Sequence, residues 1–236
     1  MALSLPYMFD TSTQLSKQRD YKVVVMKGYL HDDDWELKHP VSVLVYSLKT
    51  DSWRYCGDLA KAYNLESNRC YIYVNGCCYW LGSFQDSSQV IISFDMANDS
   101  FKEIDVPDYA KPSSKCLAVY DDSLVFLSFH ETTKILDIWT LSEEERCWTK
   151  KFTAGPVRRV RRPVGHWKGN RLLVLQGKGG KLLLYDPEAQ ERKYLKVNNS
   201  NGCGGVYAYM ETLVSIKDKN EAGKHPEQIE SENNRT

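Results

Sequence analysis

The chain lacks the features that mark several broad classes of protein. No stretch approaches the roughly 18 consecutive apolar residues of a membrane-spanning helix, which excludes such a span. Charge of one sign is missing too: 31 Lys and Arg residues offset 31 Asp and Glu, so no global field points to nucleic acid or to an anionic membrane surface. Met1 to Asp10 offers neither a basic start nor an apolar run, so no secretory signal is expected. Without one, the glycosylation sequons at Asn98, Asn198 and Asn234 carry no weight. Seven cysteines is an odd number, and they form no Cys-x-x-Cys and no Cys/His cluster at zinc spacing, so neither a disulfide framework nor a structural metal is expected. The simpler expectation is buried thiols in a reducing compartment, the cytoplasm and also the nucleus. No Gly-x-Ser-x-Gly elbow occurs, and Gly177-Lys-Gly-Gly180 lacks both the phosphate-loop pattern and a following helix. No cofactor and no metal is expected.

What the chain does have is a beat. One phrase recurs four times: Val45 to Trp53, Ser93 to Phe101, Ile138 to Trp148 and Leu184 to Tyr194. Each is a strand, a polar turn and an aromatic that resumes a strand; the closing aromatics lie 48, 47 and 46 residues apart. A period just under 50 residues, built of short strands, predicts an all-β, kelch-like propeller of four-stranded antiparallel blades. Hydrophobic residues at 42% supply the core such a fold needs. Asn75-Gly76 is the strongest two-residue hairpin signal, and Asp121-Asp122 and Lys168-Gly-Asn170 stand at the same place in the next two repeats.

The expected blades cover approximately 5–56, 70–105, 115–153 and 163–197, with half a blade at 204–216. About four and a half blades leave the ring incomplete and sheet edges exposed. Residues 217–236 are polar apart from Ile229 and are expected to be a disordered tail.

Blade topology sorts the loops. Those between second and third strands share one face with the blade-to-blade connections, and partner-binding residues are sought there. Asp32, Asp33, Asp34 and Trp35 form an acidic loop with an apolar anchor; the three carboxylates lack the spacing of a calcium loop, so a partner-facing patch and a solvated loop remain. Phe84 and His130 stand in the corresponding loops of the next blades. Arg158, Arg159, Arg161 and Arg162 form a basic connection, open to an acidic protein partner, to nucleic acid, or to no more than an exposed connector. His130 and His166 have no nucleophile beside them and read as ordinary loop or strand-end residues. Trp53, Trp80, Trp139, Trp148 and Trp167 fall at strand positions, where packing is expected. A propeller glycosidase would need two carboxylates converging near the axis, and the expected inner strands Cys70–Val74, Leu117–Tyr120 and Val164–Trp167 carry none. Catalysis is not expected.

The ordered words Asp20 to Val24, Val43 to Arg54, Val74 to Leu81, Ile92 to Asp95 with Phe101 to Ile104, Ile138 to Leu141 with Cys147 to Lys150, Leu184 to Pro187 and Tyr209 to Ile216 resemble the F-box-associated interaction domain of plant F-box proteins. The likeness spans roughly residues 7 to 216. It implies a propeller that selects target proteins for an SCF-type ubiquitin ligase. Within the family the wording stands nearest the S-locus F-box proteins, which implies a stylar ribonuclease as target and a role in self-incompatibility. The resemblance also implies a preceding F-box that docks the Skp adaptor and cullin. These residues do not include one, so the expectation is a target binder, or a truncated product, whose ligase function depends on an F-box upstream.

Overall fold

The computed structural model describes residues 2–10, 21–29 and 40–197, apart from short internal breaks at 60, 62, 66–70, 85, 109–113, 143–146 and 168–171. The expected half blade at 204–216, the tail, and Asp32, Asp33, Asp34 and Trp35 lie outside the described residues. Four antiparallel sheets follow one another along the chain. The first holds β1 (Ala2–Asp10), β2 (Tyr21–Tyr29), β3 (Ser42–Ser47) and β4 (Ser52–Asp58). The second holds β5 (Asn64–Leu65), β6 (Tyr71–Val74), β7 (Cys77–Ser83), β8 (Gln89–Asp95) and β9 (Ser100–Asp105), with β5 and β6 both paired to β7. The third is β10 (Ser114–Tyr120), β11 (Ser123–His130), β12 (Ile135–Ser142) and β13 (Cys147–Ala154). The fourth is β14 (Val160–His166), β15 (Leu173–Gly177), β16 (Leu182–Asp186) and β17 (Glu191–Tyr194). These are the blades of an incomplete β-propeller; among the described residues no sheet closes on itself.

Turn chemistry explains why the strands reverse where they do. Asn75 and Gly76 have φ of 51° and 79°, and Asp121 and Asp122 have φ of 52° and 56°. Two successive left-handed residues make the turn whose twist matches that of the flanking strands, and the register closes on Val74↔Cys77 and Tyr120↔Ser123. The outer hairpins share a longer design, with four residues between Ser47↔Ser52, Asp95↔Ser100 and Asp186↔Glu191. The Asp95 carboxylate accepts from the amides of Ala97 and Asn98 at 2.8 and 3.1 Å, and Asp186 does the same for Glu188 and Ala189 at 2.9 and 3.0 Å. A left-handed residue ends each turn: Asp51, Asp99 and Gln190. A short polar side chain that satisfies its own turn amides is the physical basis of the recurring phrase.

The core lies between blades. Val24, Met26, Val43 and Val45 meet Cys78, Trp80, Ile92 and Phe94 across the first junction. Tyr79, Leu81 and Ile91 meet Leu117, Val119 and Phe126 across the second, and Tyr120, Leu127 and Phe129 meet Leu173, Leu175 and Leu183 across the third. Alternate residues of one strand thus feed two different junctions, as the two-residue strand period requires. The outer strands β4 and β17 are largely exposed.

Three details differ from the sequence expectation. Trp80 is buried, and Trp139 and Trp148 pack against the second junction, but Trp53 and Trp167 are 54% and 39% exposed. Trp53 lies on an outer strand, where its ring leans on Tyr46 at 5.3 Å. The fourth phrase is also out of phase. Trp53, Phe101 and Trp148 face Tyr46, Phe94 and Leu141, whereas the equivalent position in the fourth blade is Arg192, opposite Tyr185. Tyr194 sits two residues further on, opposite Leu183, and is 45% exposed. Finally, Arg161 and Arg162 belong to strand β14 and not to the connection before it.

Candidate functional site

Hydrogen bonding places the β7–β8, β11–β12 and β15–β16 loops, together with the segment 155–159 that joins the third blade to the fourth, at one end of the strands. Phe84 is half-buried in the first of these loops. Its ring lies 5.4 Å from Tyr63, the Lys61 ammonium sits 5.0 Å above it, and its amide and carbonyl pair with Ser88 and Ser87. Phe84 therefore anchors its loop to the core. His130 is half-buried at the end of β11, with Nε2 3.9 Å from Asp137 Oδ2. Asp137 is claimed further by Thr153, whose hydroxyl donates at 2.6 Å, and by Lys150 at 3.3 Å.

The basic stretch divides into four different environments. Arg158 is exposed, and its carbonyl accepts from Arg192 at 3.2 Å. Arg159 is left-handed, φ 66°, and its carbonyl accepts from the Lys178 amide at 3.4 Å. Arg162 is half-buried, with Nε donating to Gln176 Oε1 at 2.7 Å. Between them the β14–β15 register skips from Val160↔Gly177 to Arg162↔Gln176. Arg161 is the extra residue of a bulge, which leaves it off the ladder and exposed.

These features meet at a cavity of about 740 Å³. Lys134, Arg159, Arg161, Lys178 and Lys181 bring five cations to its lining, against the single carboxylate of Glu131. Tyr194, Leu195 and Val197 form an apolar side. The walls are held tightly. The Gly177 amide donates to Lys181 O at 2.7 Å, the Val157 amide to Lys134 O at 2.8 Å, and Lys134 Nζ reaches Val160 O at 3.5 Å. A Cβ on Gly177 would stand 2.7 Å from the Arg159 carbonyl oxygen, and one on Gly155 would stand 2.8 Å from that of Lys134. Both glycines let the connection pass close against the loops. Four cations elsewhere on the described surface have carboxylate partners: Arg54–Asp99 at 2.6 Å, Lys61–Glu103 at 2.8 Å, Lys150–Asp137 at 3.3 Å and Lys151–Asp121 at 3.5 Å. Among the described residues, Arg159, Arg161, Lys178 and Lys181 make no salt bridge.

Sequence reasoning placed Arg159 and Arg161 on this face but missed Lys134, Lys178, Lys181 and Tyr194. The signal that could have found the lysines is their position in loops assigned to the same end of adjacent blades. The signal for Tyr194 is its spacing: it lies nine residues after Tyr185, whereas Trp53 and Phe101 lie seven after Tyr46 and Phe94.

Two other concavities have a different character. One of about 370 Å³ includes Tyr63 and Glu103. The Glu103 carboxylate accepts from Lys61 at 2.8 Å and from the Tyr63 hydroxyl, bonds that hold it below the usual carboxylate range. Another, of about 600 Å³, lies beside Trp148, whose indole N–H donates to the Asp105 carbonyl at 2.7 Å. These polar groups are engaged with one another. Among the described residues no three His, Cys, Asp or Glu side chains cluster as metal ligands, and no helix is long and apolar enough to cross a membrane.

A family model described as the F-box associated beta propeller domain matches residues 7–214. The F-box/kelch-repeat protein At3g23880 of Arabidopsis thaliana is 28% identical over 204 residues, 84% of this chain and 54% of that protein. The F-box protein CPR1 of the same plant is 25% identical over 221 residues, 83% of this chain and 52% of that protein. The chain thus spans about half the length of the curated relatives it matches. Among solved structures, the oligogalacturonate lyase of Vibrio parahaemolyticus superposes with a TM-score of 0.50 at 9% identity, over 74% of this chain and 50% of that one. At that identity the likeness concerns the fold alone.

Proposed function

Because the chain belongs to the F-box associated β-propeller family, we propose that it recognises a target protein on behalf of an SCF-type ubiquitin ligase, through the loop end of its third and fourth blades. The observation that carries this is the cavity lined by five cations, four of them without a salt bridge among the described residues. Cations gathered in one concavity with a single carboxylate, four of them without a salt bridge, are available to an anionic partner. In the whole protein an F-box would dock the Skp adaptor and cullin, and the output would be ubiquitin-dependent turnover of whatever the blades hold. The work is placed in the cytoplasm and nucleus, where the proteasome acts. No catalytic step is assigned to the chain.

The test is affinity capture of the whole protein from tissue, after cross-linking and with the proteasome inhibited. Co-purification of a Skp adaptor, together with a protein whose half-life lengthens when the chain is depleted, supports the proposal. Absence of an adaptor, and of any protein whose half-life responds, overturns it. A finer version, in which the target is a stylar ribonuclease and the process self-incompatibility, rests on the S-locus wording of the motifs. Direct titration of the chain with purified stylar ribonuclease decides it.

A further inference from the structure

The cavity also has a chemistry, and that chemistry names the kind of segment a target would offer. We infer that it binds an extended, carboxylate-rich stretch of the target, in which acidic side chains pair with Arg159 and Arg161 while one apolar side chain rests on Tyr194 and Val197. The inference rests on the proposal that this end of the blades recognises protein.

Three observations converge. The first is charge: five cations face one carboxylate in one concavity, and like charges held together repel unless an anionic guest sits among them. The second is preorganisation. Arg159 is fixed by a left-handed backbone and by the tight approach of Gly177, and Arg161 is turned out by the β14 bulge. Guanidinium groups whose backbones are already set lose less entropy on pairing with a carboxylate, and their planar fork matches its two oxygens. The third is the apolar side. Tyr194 and Val197 are 45% and 50% exposed beside the cations, and large apolar side chains beside Arg make an anchor for a peptide. The volume, about 740 Å³, lies in the range of side-chain-sized ligand sites.

Nucleic acid fits less well. A polyphosphate strand needs cations spaced along a track. Here they are gathered in one cavity of a chain with zero net charge, with Glu131 at the lining.

The test uses the full chain and a short fluorescein-labelled peptide of Asp and Glu flanking one Leu, read by anisotropy. Saturable binding that weakens as salt rises is expected, because each exposed pair contributes a screened attraction. Replacing both arginines, Arg159→Glu with Arg161→Glu, lowers affinity by about tenfold or more, and Lys178→Gln lowers it by roughly threefold. Arg158→Glu alters the same exposed segment outside the cavity lining and lowers affinity much less than the double replacement, through screened long-range attraction alone. Arg159→Lys keeps the charge and most of the affinity, which separates lost pairing from a misfolded loop. Equal binding of the Asn/Gln version of the peptide, equal loss with Arg158→Glu, or tighter binding of a uridine-rich RNA of similar length overturns the inference. Failure here is distinguishable from failure of the functional proposal. If the captured target still cross-links to the Arg159→Glu, Arg161→Glu chain, the loop end binds protein by other means, and only the acidic-segment inference falls.

Discussion

The turns at one end of the blades and the cavity at the other treat charge differently. At the turn end, carboxylates are consumed by the fold. Asp95 and Asp186 hold their own turn amides, Asp51 accepts from the Tyr46 hydroxyl at 2.6 Å, Asp99 pairs with Arg54 of the neighbouring blade, and Asp121 pairs with Lys151. Burial pushes Asp95 upward, but its bonds from the Asn98 side chain and from the Asn98 and Ala97 amides outweigh that and hold it below its ordinary value. Asn75 adds a bond to the Asp122 carbonyl across the next junction. At the loop end, the cations of the cavity are left over after the backbone has been satisfied. A charge that caps a turn stabilises the chain, whereas a charge with no internal partner is available to another molecule. The contrast, and not the number of charges, is the reason for proposing the loop end as the binding end.

Both ends depend on the same inter-blade cores, so the largest expected effect removes the comparison altogether. Phe126 is fully buried in the second junction, and Phe126→Ala costs about 3–5 kcal/mol by the lost transfer energy and the cavity it leaves. A fall in the urea midpoint with peptide binding and turn-end pairs lost together checks it. Gly177→Ala should discriminate more sharply. Its Cβ would meet the Arg159 carbonyl oxygen at 2.7 Å, so the connection must shift, at roughly 1–3 kcal/mol, and affinity for the acidic peptide should fall with it. At the turn end, Asp95→Ala removes a side-chain cap of two amides; about 1 kcal/mol of stability should be lost while peptide affinity stays where it was. Smallest is Arg159→Gln. Stability should move by no more than about 0.5 kcal/mol, and only binding and its salt dependence should change.

One junction offers a pH test that touches neither end. His166 Nδ1 accepts from the Val119 amide at 3.3 Å, joining the fourth blade to the third, and burial lowers its pKa from the ordinary 6.5. Only the neutral ring can accept, and the unfolded chain binds this proton more readily than the folded one. The contribution is therefore fully present above about pH 6.5 and is lost as the pH falls through the lowered folded value. Urea midpoints measured downward from neutral pH should decline, and His166→Gln should flatten that part of the curve.

Much of the fold was legible because its signals are local. Asn-Gly and Asp-Asp turns, the polar residue that caps a four-residue outer turn, and the short apolar runs of β7, β11 and β15 all follow from neighbours in sequence. The candidate site was legible only in part. Loop topology put Arg159 and Arg161 at the end of the strands where the cavity lies, and the same logic placed Phe84 at that end, although its side chain turned inward to Tyr63. What could not be read was local geometry set by distant partners. The bulge at Arg161 exists because β14 must pair with β15, and the exposure of Trp53 and Trp167 depends on what lies above them in space. That Tyr194, opposite Leu183, forms an apolar side of the cavity depends on the cations brought beside it from other strands and loops.

The sequence by itself determined that this chain is a series of antiparallel four-stranded units whose closing aromatics repeat every 46 to 48 residues, since turn-forming residues and short apolar runs act over a few bonds. Only the tertiary structure decided which charges are spent and which are free. Whether an Arg or a Lys finds a carboxylate depends on residues brought to within 4 Å by packing, such as Arg54 with Asp99 or Lys61 with Glu103, and no local pattern records that distance.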